Sequence, residues 1–304
     1  MSETKLNKQL NITKPLKLKP VFRKVSPDRI LLYGFLILIA VILLGPFIWL
    51  VSASFKESKD IFSTTFTLFP QREDGSIYFS FENYTGAIEY LQFGSLFVNT
   101  LIVSVVTTII NLFFNSLAGY SFARLKFKGR DLIFKLMLTS MMVPGTVLLV
   151  PNMIIINKLG LYDSLGALMV PFLMSVYNIF LMRQHFLSLP RELEESAIID
   201  GAGWFTVFWK IAMPLAKPIC VVLGIFTFMW NYNNFLWPLV VINSPENYTL
   251  ALGLGALISA SNTSAENYPL MIAGAVVVSL PLIIIFALFQ KHIMKGINVG
   301  GVKG

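Results

Sequence analysis

A run of polar and aromatic residues lies within a long apolar segment in the C-terminal third of the sequence. Its members are Trp230, Asn231, Tyr232, Asn233, Asn234 and Trp237. Side-chain amides form hydrogen bonds without adding charge, and aromatic rings can stack on the apolar faces of sugar rings. Helical spacing predicts one face with Asn231 and Asn234, and another with Trp230, Asn233 and Trp237. The run can therefore line a path for an uncharged, hydroxyl-rich compound.

The same run has a second interpretation, which is structural. Amides also hydrogen-bond across packed membrane helices, and tryptophan is common in the aromatic belt at a membrane interface. Tyr177 and Asn178 lie in an earlier apolar segment and are weaker candidates for the same path. The same structural interpretation applies to them. The sequence alone leaves both open.

Catalytic groups are sparse in this chain. The histidines, His185 and His292, are far apart and lack neighbours with metal-ligand spacing. Gly296 and Gly301 have the spacing of a phosphate-binding P-loop, but Val302 stands where that motif requires lysine. We therefore predict that the chain is not an enzyme and binds no metal or other cofactor itself.

The composition is that of an all-α membrane protein. Of 304 residues, 55% are hydrophobic and 13% charged, and the apolar residues form runs of about 20, the length that spans a bilayer as a helix. The formal net charge of +8 does not indicate nucleic-acid binding, because the basic residues flank the apolar runs. The single cysteine, Cys220, lies in such a run and is expected to be a small buried hydrophobe.

Six membrane spans are predicted, at residues 30–53, 95–122, 132–156, 166–186, 219–241 and 270–289. Pro144 and Gly145 predict a kink or break in the third span. In the second span, Gly119 and Ala123 form a small-x-x-x-small pattern that favours close helix packing. The expected organisation is a basic tail at 1–29, a membrane domain at 30–293 and a second tail at 294–304.

The charges predict how the spans are oriented. With both termini in the cytoplasm, nearly all basic residues fall on the cytoplasmic side, as the positive-inside tendency requires. The exceptions are Lys56, Lys59, Arg72 and Lys158. External segments are then expected at 56–93 and 243–269, and residues 250–258 are apolar enough to dip into the membrane or pack in a vestibule. No charged residue is evident in the middle of a span, so an ion-coupled mechanism is disfavoured.

A polar segment at 195–218 interrupts the apolar spans on the predicted cytoplasmic side. Pro190 and three following glutamates are typical of a helix start, so a short helix is expected at about 191–200. Gly201 can adopt the positive φ that ends a helix with a sharp turn. A second helix is expected at 204–212, interrupted by Pro214. These features predict a helix-turn-helix hairpin beside the membrane.

The segment resembles the "EAA" loop of bacterial ABC importer permeases. The matching residues are Glu195, Ser196, Ala197, Asp200, Gly201, Ala202, Phe208, Ile211, Pro214 and Pro218. Ser196 stands where that family usually has alanine, and Met213 where it usually has leucine. The resemblance implies that the loop, here 188–218, carries a coupling helix that inserts into a cleft of a cytoplasmic ATPase subunit.

Other segments resemble the maltose-type carbohydrate permeases of the same family. The similar residues include Asn99-Thr100-Leu101, the run from Ala123 to Arg130, Pro144, Leu159-Gly160-Leu161, Trp230-Asn231, Phe235 to Pro238, and the ending from Lys295 to Gly304. In that family, the tail of one permease enters the interface between the ATPases. The resemblance therefore implies ATPase contacts for Gly296, Gly301, Lys303 and Gly304, with Gly301 replacing a usual alanine.

The resemblance implies an all-α permease fold with six transmembrane helices in the bacterial cytoplasmic membrane. The implied partners are two ABC ATPases holding ATP and Mg, a second homologous permease, an extracytoplasmic sugar-binding protein, an oligosaccharide and membrane lipid, with no nucleic acid. Two alternatives remain: an ABC permease for another nutrient such as peptides, and an ion-coupled secondary carrier.

Overall fold

The structure, a computed structural model, describes residues 27–63, 67–71, 75–261 and 267–298. Regular structure in these ranges is helical, apart from an isolated bridge between Gln71 and Ile77. The α-helices are α1 (Pro27–Ala53), α2 (Ser58–Ile61), α3 (Glu82–Tyr90), α4 (Phe93–Arg124), α5 (Arg130–Ser140), α6 (Leu149–Lys158), α7 (Leu165–Met169), α8 (Val176–Ser188), α9 (Glu192–Ile199), α10 (Trp204–Val207), α11 (Met213–Tyr232), α12 (Leu236–Val241), α13 (Leu250–Ser261) and α14 (Tyr268–Asn298).

Membrane-length helices dominate the described residues. Four helical stretches are long and apolar enough to cross a bilayer, namely Arg29–Ala53, Phe93–Arg124, Trp204–Tyr232 and Tyr268–Gln290. Two bent pairs, Arg130–Ser140 with Gly145–Lys158 and Leu165–Phe172 with Val176–Ser188, pass the same test together. The all-α, multi-span prediction is confirmed, and the count is six when each bent pair is one span.

Helix α1 up to Ile48 is a compact unit by itself. Its apolar side chains are exposed around the helix, Leu31 and Phe47 being 75% and 66% exposed. An apolar helix without a polar face is suited to a hydrocarbon environment.

Residues from Trp49 onward form the second unit, whose centre is the packing of α4 against α8 and α11. Gly119 makes the first contact possible, because an added Cβ would lie 2.7 Å from Met182 Cβ and 3.0 Å from the Arg183 backbone nitrogen. Ala123 is also buried, in the same apolar cluster as Met182. The predicted close packing along this face of α4 is confirmed.

The third and fourth spans are both broken. The third bends by 94° between α5 and a 3₁₀ turn that begins at Gly145, directly after Pro144, which confirms the predicted break. The fourth bends by 43° between Phe172 and Val176, a break that the sequence did not predict. Asn111 donates to the Phe172 carbonyl (2.9 Å), and Asn115 accepts from the Ser175 N–H (3.1 Å). The amides of α4 therefore satisfy backbone groups freed at this break.

Two predictions are wrong in this part of the chain, one about the second helix of the hairpin and one about the fifth span. Pro214 does not interrupt the helix that begins at Trp204, because a π turn at Phe208–Ala212 leads directly into α11. Pro214 lies in the first turn of α11. Proline has no backbone N–H to donate to the preceding turn, and the wider π turn before it accommodates this missing hydrogen bond, so the helix continues. The predicted span 219–241 is also not continuous, because α11 ends at Tyr232 and α12 begins at Leu236.

The C-terminal part contains one helix more than the predicted spans. Helix α13 lies in the segment expected outside, and it packs closely: a Cβ on Gly253 would lie 2.2 Å from Leu96 Cδ2 of α4. The last helix extends to Asn298, well beyond the predicted end of the span at residue 289, and includes the backbone of Gly296. Gly301, Lys303 and Gly304, and the basic tail up to residue 26, lie outside the described residues.

Candidate functional site

Helix α9 and its turn form the first half of the site. The helix runs from Glu192 to Ile199, as predicted, and Gly201 has φ +87°, which confirms the positive φ predicted at the turn. The Ala202 N–H donates to the Ala197 carbonyl (2.9 Å), and the Gly201 N–H donates to Ile198 (3.0 Å). This pair of bonds is a Schellman motif, which ends the helix and turns the chain sharply.

The outer surface of α9 is exposed and chemically mixed. Glu195, Ser196 and Asp200 are exposed, and Ile199 is 85% exposed. Ala197 and Ala202 instead pack against the buried cluster around α4 and α8. The helix therefore presents an acidic and apolar surface, while its small residues face the bundle.

Glu194, between two exposed glutamates, is buried. Its Oε1 accepts a hydrogen bond from Arg124 Nε at 2.8 Å, and its Oε2 accepts one from the Tyr120 hydroxyl at 3.4 Å. Arg124 also donates through Nη2 to the Leu189 carbonyl at 2.8 Å. Neither Glu194 nor Arg124 was predicted from the sequence as a site residue. The available signal was a glutamate on the bundle-facing side of α9.

The other predicted coupling residues occupy different environments. Phe208, in the π turn, is 1% exposed, and its ring lies 5.2 Å from Tyr120 and 6.5 Å from Phe186. Pro214 is exposed in the first turn of α11. Phe208 therefore links the second half of the hairpin to the apolar cluster beneath α9.

The polar run near the end of α11 is divided by the end of that helix. Trp230 is 51% exposed, with its ring edge-to-face against Phe172 at 4.6 Å. Asn233 is the C-cap residue and is exposed, and its amide donates to the Met229 carbonyl. Tyr177 of α8 is 55% exposed. These three side chains are accessible to a ligand in the described chain.

The remaining members of the predicted pathway have internal partners. Asn231 donates to the Thr227 carbonyl (2.8 Å), and Asn178 donates to Asn111 Oδ1 (2.8 Å) and Thr227 Oγ1 (3.1 Å). The Tyr232 hydroxyl donates to the Val278 carbonyl, and the Trp237 indole donates to the Ala167 carbonyl. The Asn234 side chain accepts from the Trp237 N–H. The predicted helical face shared by Asn231 and Asn234 does not form, because α11 ends between them.

At the other end of the bundle, Asp163 joins two loops. Its carboxylate accepts hydrogen bonds from the backbone N–H groups of Asn243 and Ser244 (2.9 and 3.0 Å) and from the Ser244 hydroxyl. The bond from the Ser244 hydroxyl contributes most to the lowered pKa of Asp163, and the backbone bonds add to it. Together they lower this pKa to about 2. Asn99 of α4 holds the same loop by donating to the Glu246 and Tyr248 carbonyls. This clamp was not predicted from the sequence.

The family "Binding-protein-dependent transport system inner membrane component" matches residues 115–299. The match includes α8, residues 188–218 and α11. The chain belongs to this family. It is therefore a multi-pass permease subunit of a binding-protein-dependent transporter in a cell membrane.

Individual members of the family match over nearly the whole chain. The arabinooligosaccharides transport system permease protein AraQ of Bacillus subtilis is 39% identical over 92% of this chain and 97% of its own length. AraQ of Halalkalibacterium halodurans is 35% identical over 93% and 99%. Among solved structures, a chain of a bacterial ABC transporter involved in import of the acidic polysaccharide alginate superposes with a TM-score of 0.74. The two chains are 23% identical in sequence. The match covers 87% of this permease and 95% of the alginate transporter chain.

Proposed function

We propose that this permease is one of two homologous membrane subunits of an ATP-driven importer for a neutral oligosaccharide. An extracytoplasmic binding protein delivers the sugar, and two ATPase subunits bind ATP and Mg on the cytoplasmic side. The observation that carries the coupling half of this proposal is α9, a short helix with an exposed outer surface and a sharp turn at Gly201.

In the assembled transporter, α9 lies in a cleft of the ATPase. The exposed Glu195 pairs there with a basic group, and Ile199 fills an apolar part of the cleft. Ser196 and Asp200 belong to the same contact, and Ala197 and Ala202 support it from the side that faces the bundle. Gly296, Gly301, Lys303 and Gly304 reach the interface between the ATPases. ATP-driven closure of the ATPases then moves α9, and the bundle changes from inward-facing to outward-facing.

The sugar path uses the accessible members of the polar run. Trp230 offers a ring for stacking, Asn233 an amide and Tyr177 a hydroxyl, all of them uncharged. Asn234, half-buried, lies next to them in sequence. Asn231, Tyr232, Trp237 and Asn178 support these residues from within the bundle. The arabinooligosaccharide assignment of the relatives favours the same class of substrate for this chain.

The test is uptake by the complete complex in proteoliposomes. We expect ATP and binding protein to drive entry of labelled arabinotriose, and we expect no entry of alginate trisaccharide, whose carboxylates require cationic partners. A tripeptide serves as the probe for a different nutrient class. Uptake is measured with ATP inside and, separately, with only an imposed proton or sodium gradient.

Three results would contradict the proposal. Tripeptide entry without arabinotriose entry would reassign the substrate, and alginate entry would show that the path is not selective for neutral sugars. Uptake driven by an ion gradient without ATP would make the protein a secondary carrier. A complex that lacks the binding protein is the matched control and should import nothing.

A further inference from the structure

A buried ion pair joins α9 to the bundle. The side chains of Arg124 and Glu194 are 4% and 6% exposed, and the Nε–Oε1 distance is 2.8 Å. Both carboxylate oxygens have partners, since Tyr120 contacts the second one. Arg124 is the last residue of α4 and also binds the carbonyl of Leu189, the C-cap residue of α8. One guanidinium therefore connects α4, α8 and α9.

The other side chains of α9 are exposed or, in the case of Ala197, small. Leu193 and Ile199 are 46% and 85% exposed, and Glu192 and Glu195 are exposed as well. Ala197 packs against the buried cluster, but its methyl group is small. Glu194 is thus the side chain of α9 that is both long and buried. Its carboxylate is the side-chain contact through which a displacement of α9 can reach the end of α4.

The position of the pair also favours transmission over simple anchoring. Tyr120 and Arg124 are one helical turn apart on α4, so the carboxylate contacts two successive turns. The Tyr120 ring is edge-to-face with Phe186 of α8 at 5.4 Å and lies 5.2 Å from Phe208 in the π turn. The elements that meet at α9 are therefore fixed to one another around Glu194.

We propose that Glu194, held by Arg124 and Tyr120, is the positioning residue that transmits the motion of α9 to α4. The role is distinct from that of Glu195, which faces the ATPase. This inference rests on the proposed function, because it assumes that α9 docks on an ATPase. Loss of the pair should uncouple ATP hydrolysis from the bundle while leaving the docking surface intact.

The experiment compares E194Q and R124Q with E192Q in the complete complex in proteoliposomes. Glu192 lies in the same first turn but is exposed, so E192Q is the matched control. ATP hydrolysis is measured with and without the binding protein, together with arabinotriose uptake per ATP. For E194Q and R124Q we expect basal hydrolysis within about twofold of wild type, and at least a fivefold loss of both stimulation by the binding protein and uptake per ATP.

A second variant covers the case in which a single substitution prevents assembly. R124L/E194L removes both charges and leaves neither one buried without a partner. We expect it to assemble with the ATPases and to be uncoupled. If it assembles and retains stimulation within twofold of wild type, or if it fails to assemble, the transmission role is overturned. Unchanged stimulation in E194Q would overturn it equally.

The sugar assignment can fail without affecting this result. If the binding protein stimulates wild-type hydrolysis but arabinotriose does not enter, the substrate proposal is wrong, and the variants are still compared by stimulation.

Discussion

Glu194 and Glu195 are neighbours in α9 with opposite environments, because Glu194 is buried against Arg124 and Glu195 is exposed. Gly201 and the pair Gly119 and Ala123 were predicted correctly, because a helix end and a packing face depend on neighbours within a few positions. The difference between Glu194 and Glu195 was not predictable in the same way. It depends on Arg124, which is 70 positions from Glu194 in sequence. The amides of Asn178 and Asn231 were likewise assigned from type alone, and their partners lie inside the bundle.

Trp230 is the residue at which the proposed sugar path can be tested directly. Its exposed ring is expected to stack on a sugar, and we take the value of an aromatic pair, about 0.5–1.5 kcal/mol, as the order of magnitude. W230A should therefore raise the KM for arabinotriose by about 2- to 12-fold with a smaller change in kcat. Initial uptake rates in proteoliposomes measure both.

The control for W230A is F47A, which removes an aromatic ring that is 66% exposed on α1. F47A should leave the KM within about twofold of wild type. An unchanged KM in W230A would return Trp230 to a packing role against Phe172.

At the level of elements, the helix breaks have different origins. Pro144 predicts the break in the third span, because proline cannot donate the backbone hydrogen bond that a continuous helix requires. The break before Val176 has no comparable local signal. It is stabilised from another helix, where Asn111 and Asn115 of α4 bind the Phe172 carbonyl and the Ser175 N–H. Such a break depends on tertiary contacts that a single sequence does not display.

Asn111 is expected to be the main support of this break. N111A removes the donor to Phe172 and the acceptor used by Asn178 and Asn115. Hydrogen bonds between membrane helices are worth about 0.6 kcal/mol on average and up to about 1.7, so we expect a loss of about 1–2 kcal/mol. Denaturant titration of the purified complex in detergent measures the change in the free energy of unfolding.

The exposed Asn157, at the end of α6, provides the control for N111A. N157A should change the free energy of unfolding by less than about 0.5 kcal/mol. If N111A and N157A are equally stable, the amide cluster is not what holds the fourth span in its bent form.

For the whole molecule, the sequence predicted the class and the number of spans better than their detail. Apolar runs of bilayer length and their basic flanks are properties of composition, and they need no knowledge of packing. The end of α11 at Tyr232, the continuity through Pro214 and the helix α13 depend on how the spans pack. The orientation of the bundle is a prediction from the same basic flanks, and it is directly measurable.

Cysteine labelling tests that orientation. In a C220A background, which removes the chain's one cysteine, E192C and E246C place single thiols at exposed positions near opposite ends of the bundle. A membrane-impermeant maleimide should label E192C only in inside-out vesicles and E246C only in right-side-out vesicles. The C220A protein itself serves as the unlabelled control, and the reverse pattern would invert the proposed topology.

The Asp163 clamp has a consequence for where such a permease can work. Its depressed pKa of about 2 means that the folded chain binds a proton there less readily than the unfolded chain, so its contribution is fully present above about pH 4 and is lost only as the pH falls toward 2. Because an ordinary surface aspartate titrates near pH 4, an ionised carboxylate would still join these two loops in surroundings acidic enough to protonate about half of such groups.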